Sequence, residues 1–171
     1  MKKRFAIIIL MLVAVVGLYA QDLNGSWKTR AIRDSLDIVY IFTFAEPKLD
    51  MKFLISHEDA ELGTITMSIL LPSLYTRNGD IIKIDYDTDQ FKVKVEKMEL
   101  TEEVKKTMDD EPGMADFIKG LLEVAVNSSK DKLIEEFKKS DELKIHHLDD
   151  VSLVLVDETD ESMIFTRIVE E

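Results

Sequence analysis

Alternation of apolar and polar residues between residues 26 and 99 is the feature that most constrains the fold. It is clearest where Phe91, Val93 and Val95 alternate with charged residues, because successive side chains of a β-strand point to opposite faces. Turn residues interrupt the pattern at intervals of about eight to twelve residues, which is typical of a sandwich or a barrel. The predicted strands lie at about 26–33, 36–45, 50–57, 63–71, 80–87 and 91–99.

The periodicity changes at residue 100, where helical spacing replaces alternation. Thr101 can cap a helix whose first turn carries two glutamates. Further along, an apolar stripe at helical spacing comprises Met114, Phe117, Ile118, Leu121, Leu122 and Ala125. The polar residues 127–129 mark a weak point after it. We interpret the stripe as packing of a helix on its own sheet, in preference to a lipid or partner surface.

Strand patterns return at about 142–148, 151–157 and 162–169. These strands follow one another without the βαβ rhythm of a parallel sheet. An antiparallel up-and-down barrel is favoured, because closure removes the exposed edges of a sheet. We therefore predict a mainly β fold of eight or nine strands, with a helical insertion at about 101–139 between strands 6 and 7.

The amino terminus has the composition of a cleavable signal peptide. Basic residues 2–4 precede an apolar run over 5–17, and Ala20 stands before a polar segment. The apolar run is shorter than the roughly 20 residues that a membrane-spanning helix needs. We therefore expect residues 1–20 to be removed and 21–171 to form one exported domain, periplasmic or secreted, without a membrane span.

Charge and cysteine content narrow the classes of function. Three of the 22 basic residues lie in residues 1–20, so 19 remain against 34 acidic residues, a net charge of −15. Such a chain is a poor partner for nucleic acid, whose phosphates are bound by clustered lysine and arginine. The absence of cysteine excludes disulfides, thiolate zinc sites and thiol catalysis. No cofactor is expected, and nothing in the sequence specifies an oligomeric state.

Two short motifs carry a resemblance to a known family. Asn24-Gly25-Ser26-Trp27 places a Gly-x-Trp in the first predicted strand, and Phe165-Thr166-Arg167 lies in the last. The chain thus resembles the lipocalin-type (calycin) barrels, in particular small lipocalin-like proteins exported by Bacteroidetes-type bacteria. The resemblance implies that Trp27 and Arg167 pack together and close one end of the barrel. It also implies a main helix after the eighth strand, whereas here the helical residues follow the sixth.

Signals for catalysis are missing from the sequence. The three histidines, His57, His146 and His147, lack the spacing that places two imidazoles on one metal. In a regular strand His146 and His147 face opposite sides, so we expect one of them to be buried and the other exposed. No Gly-x-Ser-x-Gly elbow and no glycine-rich phosphate loop occur. We expect a protein that is not an enzyme.

An acidic run provides the one candidate for a metal. Asp85, Asp87 and Asp89, with Glu96 eleven residues after the first, match the acidic positions of an EF-hand calcium loop. The position that needs glycine is Gln90, and the flanking segments have strand patterns. A polar turn is the preferred interpretation, and calcium binding stays the alternative.

Alternation also predicts which side chains line the barrel. If Trp27 faces inward, then the aromatic residues at 40, 42 and 44 and the apolar residues at 51, 53, 55, 65, 67 and 69 do so as well. An eight-stranded barrel holds either its own side chains or one small ligand. Polar-tipped side chains are the candidates for fixing such a ligand. The residues expected to contact it are Tyr40, Phe42, Phe53, Met67, Tyr86 and His147.

Two functions follow from these features. The leading hypothesis is an exported, non-catalytic binding protein that holds a small apolar or amphipathic ligand inside a lipocalin-like barrel. The alternative is a periplasmic or secreted protein-interaction factor, an inhibitor or an envelope assembly partner, that uses the helical insertion and the acidic surface. An internal cavity would favour the first, and an exposed apolar stripe on the insertion would favour the second.

Overall fold

A computed structural model describes residues 22–33, 35–109, 113–138 and 141–169. The predicted signal peptide lies outside these residues. The strands are β1 (Gly25–Arg33), β2 (Leu36–Ala45), β3 (Lys48–Asp59), β4 (Gly63–Asn78), β5 (Ile81–Tyr86), β6 (Lys92–Leu100), β7 (Glu142–Leu148), β8 (Ser152–Val156) and β9 (Ser162–Ile168). The helices are α1 (Glu102–Asp109), α2 (Met114–Ser128) and α3 (Lys130–Lys138). The predicted mainly β fold, with a helical insertion between the sixth and seventh strands, is confirmed.

Eight of the strands close into an antiparallel barrel. Around the barrel the order is β1-β2-β3-β4-β5-β7-β8-β9, and β9 returns to pair with β1. Each strand except β6 therefore lies beside its neighbour in the sequence, as in an up-and-down barrel. The pairing of Trp27 with both Phe42 and Arg167 places the first, second and last strands in register near one end.

One strand, β6, lies outside the barrel, because β4 changes its partner partway along one edge. Residues 63–70 of β4 pair with β6, whereas residues 73–78 pair with β5. Pro72 lies at the changeover, and its carbonyl accepts a hydrogen bond from the amide of Asp87 on the β5 side (3.0 Å). The nitrogen of Pro72 faces the same side but carries no hydrogen to donate. The series of backbone hydrogen bonds along this edge of β4 is therefore interrupted at Pro72. β4 is therefore longer than predicted, and β6 separates from the barrel.

The helical insertion lies against the branching strand. The amide of Val95 on β6 donates to Oε1 of Glu123 on α2 (3.0 Å), so a helix side chain takes the place of a neighbouring strand. On α3, Ile134 is buried in the main apolar core and Leu133 packs against it. The chain breaks between α2 and α3 at Ser129, within the predicted weak point. Among the described residues, no helix combines the length and apolar character needed to cross a membrane.

A charged network joins β3, β4 and β6. Nζ of Lys94 and Oγ of Ser68 donate to the carboxylate of Glu96 (2.9 and 2.8 Å), and Nζ of Lys52 lies 3.6 Å from it. These donors lower the pKa of Glu96 to about 2. The carboxylate therefore stabilises the pairing of β4 with β6 as long as it is ionised.

We expect the network to make the free energy of unfolding depend on pH in the acidic range. A carboxyl group whose pKa is lowered by folding stabilises the protein above its pKa in the unfolded chain, about 4.3, and this contribution disappears as the pH falls towards 2. Glu96→Gln should accordingly flatten the loss of unfolding free energy over that interval, measured by urea denaturation. Glu99→Gln, in which an exposed carboxylate bound to Lys97 is removed from the same strand, is the control. Equal slopes for the two variants and the native chain would contradict this role of Glu96.

Candidate functional site

One end of the barrel is closed by a tryptophan and an arginine. Trp27 is fully buried, and its Nε1 donates to the carbonyl of Leu23 (2.9 Å). The guanidinium carbon of Arg167 lies 4.2 Å from the centre of the indole ring, a cation–π distance. Its Nη1 and Nη2 donate to the carbonyls of Asn24 and Asp22 (2.7 and 2.9 Å). Arg167 thus fixes the segment before β1 across the end of the barrel.

Gly25 allows this close approach. Its φ of +118° is unfavourable for other residues, and a Cβ at this position would lie 2.9 Å from Nη1 of Arg167. Nε of Arg167 is buried and has no hydrogen-bond acceptor among the residues that the structure describes. The structure therefore brings together the three residues of the sequence motifs, Gly25, Trp27 and Arg167.

A layer of aromatic side chains fills the barrel next to this closed end. The ring of Phe42 lies 4.9 Å from that of Phe165, and Phe44 contacts Tyr75 edge to face at 5.3 Å. Phe44 and Phe165 are almost completely inaccessible to solvent. From Phe42 to the closed end, the interior is therefore filled by the protein's own side chains.

On the side of this layer that faces away from the closed end, the barrel contains an open cavity of about 280 Å³. Its walls are mainly apolar and come from five strands of the barrel, β2, β3, β5, β7 and β9. They are formed by Tyr40, Phe42, Met51, Phe53, Ile84, Tyr86, Leu143 and Met163. Engineered cavities of about 150 Å³ already bind benzene, and ligand pockets begin at roughly 300 Å³, so the space suits one small molecule.

Two tyrosines give the cavity its internal polar groups. Tyr40 stacks edge to face on Phe53, with 5.6 Å between ring centres. Burial raises the pKa of Tyr86 well above its ordinary value, and the negative charge of Asp141 adds to this effect. The hydroxyl of Tyr86 is consequently protonated at physiological pH and acts as a neutral hydrogen-bonding group.

The mouth of the cavity carries charged groups from two turns. Nη2 of Arg33, at the end of β1, lies 3.1 Å from Oε2 of Glu161, just before β9. Oδ1 of Asp157 accepts hydrogen bonds from the amides of Thr159 and Glu161 and from the Thr159 hydroxyl, so the carboxylate is held in place. These hydrogen bonds keep the pKa of Asp157 below its usual range against the opposing effect of desolvation. Arg33, Asp157 and Glu161 all line the opening.

Four of the six residues expected to contact a ligand line this cavity: Tyr40, Phe42, Phe53 and Tyr86. Met67 does not, although its register with β3 is regular, because no residue of β4 is among those that line the cavity. His147 does not line it either, because a bulge between Ile145 and His147 breaks the alternation of β7.

The bulge also corrects the prediction for the paired histidines. His146 and His147 are both exposed, whereas strict alternation predicts one buried imidazole. The Nε2 of His147 lies 2.9 Å from Oδ2 of Asp149, whose other oxygen accepts amide hydrogens from the β7–β8 turn. This interaction belongs to the outer surface of the turn.

The acidic residues proposed for calcium are not assembled into one site. Asp85 is on β5, whereas the carboxylate of Asp87 accepts a hydrogen bond from Gln90 Nε2 (2.7 Å) beside a single 3-10 turn. Glu96 belongs to the lysine and serine network of β6. Asp89 is exposed. In the part of the chain that the structure describes, no three acidic or histidine side chains are placed to hold a metal ion.

Sequence reasoning missed the charged mouth and part of the wall. Met163 could have been found, because alternation in the last strand places it on the same face as Phe165. Arg33 and Glu161 lie 128 residues apart and meet only because β9 closes on β1. No local pattern could have identified that pair.

The helical insertion exposes a second feature, an apolar stripe on α2. Phe117, Leu121 and Val124 are 61%, 52% and 65% exposed and follow one another at helical spacing. The prediction that the stripe packs on the chain's own sheet is therefore wrong for Phe117, Leu121 and Ala125, which are exposed. The reason is that α2 lies beside a single edge strand, β6, which covers less of a helix than a sheet face does.

Comparison with known proteins adds no relative to this picture. No protein-family model matches the sequence, and no curated protein matches it significantly. The geometry of the barrel therefore carries the functional argument by itself.

Proposed function

We propose that this protein is an exported, non-catalytic binding protein that holds one small apolar or amphipathic ligand inside its barrel. The observation that carries the proposal is the cavity of about 280 Å³ at one end of the barrel. A cavity lined by apolar side chains with a few polar groups is the usual form of a small-molecule site. A barrel filled throughout its length by its own side chains would have contradicted this function.

The composition of the walls supports a ligand with an apolar body. Met51 and Met163 provide flexible, polarisable surfaces that adapt to ligands of different shape. Tyr40 and Phe53 provide rigid aromatic faces, and the neutral hydroxyl of Tyr86 can form a directional hydrogen bond. These features select by shape and polarity, and none of them needs a chemical step.

The resemblance to lipocalin-type barrels points the same way. The stacked pair of Trp27 and Arg167 closes one end, and the cavity opens towards the other. The predicted signal peptide is consistent with a carrier that works in the periplasm or outside the cell. We propose this location together with the function.

Native mass spectrometry provides the test. The protein is purified from the cells that make it, and its native mass is compared with its denatured mass. We expect a small molecule that is retained in the native state and released on denaturation. Met163→Trp should abolish retention, because the indole fills the cavity at its wall. Ile164→Trp is the matched control, since Ile164 is the next residue of β9 but is 65% exposed on the outer surface.

Three outcomes separate the alternatives. Retention by the native chain and the Ile164→Trp variant, but not by the Met163→Trp variant, supports binding within the barrel. Retention by all three places the ligand elsewhere and contradicts the proposal. A bare protein mass, together with no binding of any added apolar probe, also contradicts it.

A second function is favoured by the exposed stripe on α2. We propose it as the alternative: a factor that binds another protein through Phe117, Leu121 and Val124. The surplus of acidic residues favours a partner with a basic rim around an apolar docking surface. A stoichiometric protein partner in the same native spectra, displaced by Leu121→Asp, would support this alternative, and a monomer without such a partner would contradict it.

A further inference from the structure

We propose that the ligand of the barrel is a cationic amphiphile, an organic amine with an apolar body, whose charged head lies at the acidic mouth of the cavity. The inference rests on the proposed function and names the chemical class of its ligand. It follows from three observations: the charges at the mouth, the charge of the whole chain and the aromatic walls.

The mouth has more negative than positive charge. Two carboxylates, Asp157 and Glu161, line it together with one guanidinium, that of Arg33. Arg33 is bonded to Glu161 and also attracts Asp157, so its single positive charge compensates one of the two negative charges. Oδ1 of Asp157 accepts three hydrogen bonds from the turn, which fixes the orientation of this carboxylate at the mouth. An ammonium head would thus meet a fixed carboxylate, whereas a carboxylate head would have to displace Glu161 from Arg33.

The rest of the protein reinforces this preference. The full chain carries a formal net charge of −12. Low-dielectric walls focus the field of such a charge distribution into a cleft, which raises the local concentration of cations and lowers that of anions. Entry of an anionic amphiphile is therefore opposed both at a distance and at the mouth.

The walls can also accommodate a cation that enters further. Four aromatic rings line the cavity, those of Tyr40, Phe42, Phe53 and Tyr86. The face of an aromatic ring attracts an ammonium or quaternary ammonium group, and the attraction is stronger when the group is desolvated. The apolar body of the ligand would then lie on Met51 and Met163. An amine benefits from both the mouth and the walls.

Three probes of eight carbon atoms with different head groups test the inference: octylammonium, octanol and octanoate. The protein is expressed from the full chain, and binding is measured by isothermal titration calorimetry at low ionic strength and neutral pH. We expect octylammonium to bind at least tenfold more tightly than octanol, and octanoate to bind more weakly than octanol. High salt should reduce the difference between the charged probes, because screening weakens charge interactions near the surface.

The double variant Asp157→Asn/Glu161→Gln removes the negative charges of the mouth. Asparagine retains a side-chain oxygen that can accept the hydrogen bonds of the turn, so the fold is preserved. We expect the affinity for octylammonium to fall about tenfold, that for octanol to stay constant and that for octanoate to rise. The control is Glu158→Gln, which removes a charge from an exposed residue of the same turn that does not line the cavity.

The outcomes distinguish the two proposals. If none of the three probes binds, the proposed binding function fails. If octanol binds but octylammonium binds no more tightly, or if octanoate is preferred, the cavity binds ligands and the inference about their charge is overturned. An effect of Glu158→Gln equal to that of the double variant would also overturn it, because the preference would then not arise at the mouth.

Discussion

Replacing Trp27 by alanine should lower the free energy of unfolding by about 3–5 kcal/mol, the range for removal of a large aromatic side chain from a core. Trp27 is completely buried and contributes three kinds of contact: packing within the core cluster, the hydrogen bond to Leu23, and the surface on which Arg167 stacks. Its loss leaves a cavity at the closed end and removes the surface that holds the arginine. A loss of this size is a large part of the stability of a domain of ordinary size.

Urea denaturation followed by far-ultraviolet circular dichroism is the appropriate measurement, because Trp27 is the single tryptophan and its fluorescence is lost in the variant. Ile32→Ala is the matched control, since Ile32 is on the same strand but is 74% exposed. We expect the control to change the free energy by less than about 0.5 kcal/mol. A loss below about 1.5 kcal/mol for Trp27→Ala would contradict a structural role for this residue at the closed end.

Gly63→Ala should be similarly damaging, with an expected loss of about 4 kcal/mol. Gly63 begins β4 with a φ of +102°, a conformation that side chains rarely adopt. A Cβ at this position would lie 2.1 Å from the carbonyl oxygen of Glu99 and 2.9 Å from Cα of Leu100. Both are backbone atoms of β6, so they cannot move aside like the end of a flexible side chain. The substitution must therefore push β6 away from β4, and it adds steric overlap to the backbone strain.

Gly79→Ala separates the two effects. Gly79 also has a positive φ, +62°, but no atom lies within 4 Å of the position that its Cβ would occupy. Only the cost of the left-handed backbone conformation applies there, about 1 kcal/mol. The two variants are compared by thermal and urea unfolding. If they lost the same stability, the close approach of β4 and β6 at Gly63 would not be the cause.

The candidate site shows which cavity residues can be predicted from the alternation of side chains along a strand. Tyr40, Phe42 and Phe53 line the cavity because β2 and β3 are regular, so residues of equal parity point to the same side over their whole length. His147 follows the same rule in the sequence but lies after a break in the register of β7 that follows Ile145. Met67 keeps its register with β3, but its strand, β4, does not line the cavity. A bulge depends on how two strands meet, and alternation within one strand contains no information about its partner.

The sequence by itself determined the class of the fold. Local patterns of alternation and helical spacing specify where strands and helices begin and end, and turn residues separate them. The positions of eight strands were predicted within a few residues, and β4 alone was substantially longer than expected. These properties depend on neighbours in the chain, which is why one sequence is enough to predict them.

The tertiary structure alone decided where the barrel is filled and where it is open. The side chains of Phe42, Phe44 and Phe165 together fill the barrel near one end, whereas the residues at the other end leave a cavity between them. The charged mouth joins Arg33 to Glu161 across the closure of β1 with β9. The exposed stripe of α2 likewise depends on that helix lying beside the single edge strand β6. Each of these features depends on how close residues far apart in the sequence come to one another, and only the packing of the complete chain sets those distances.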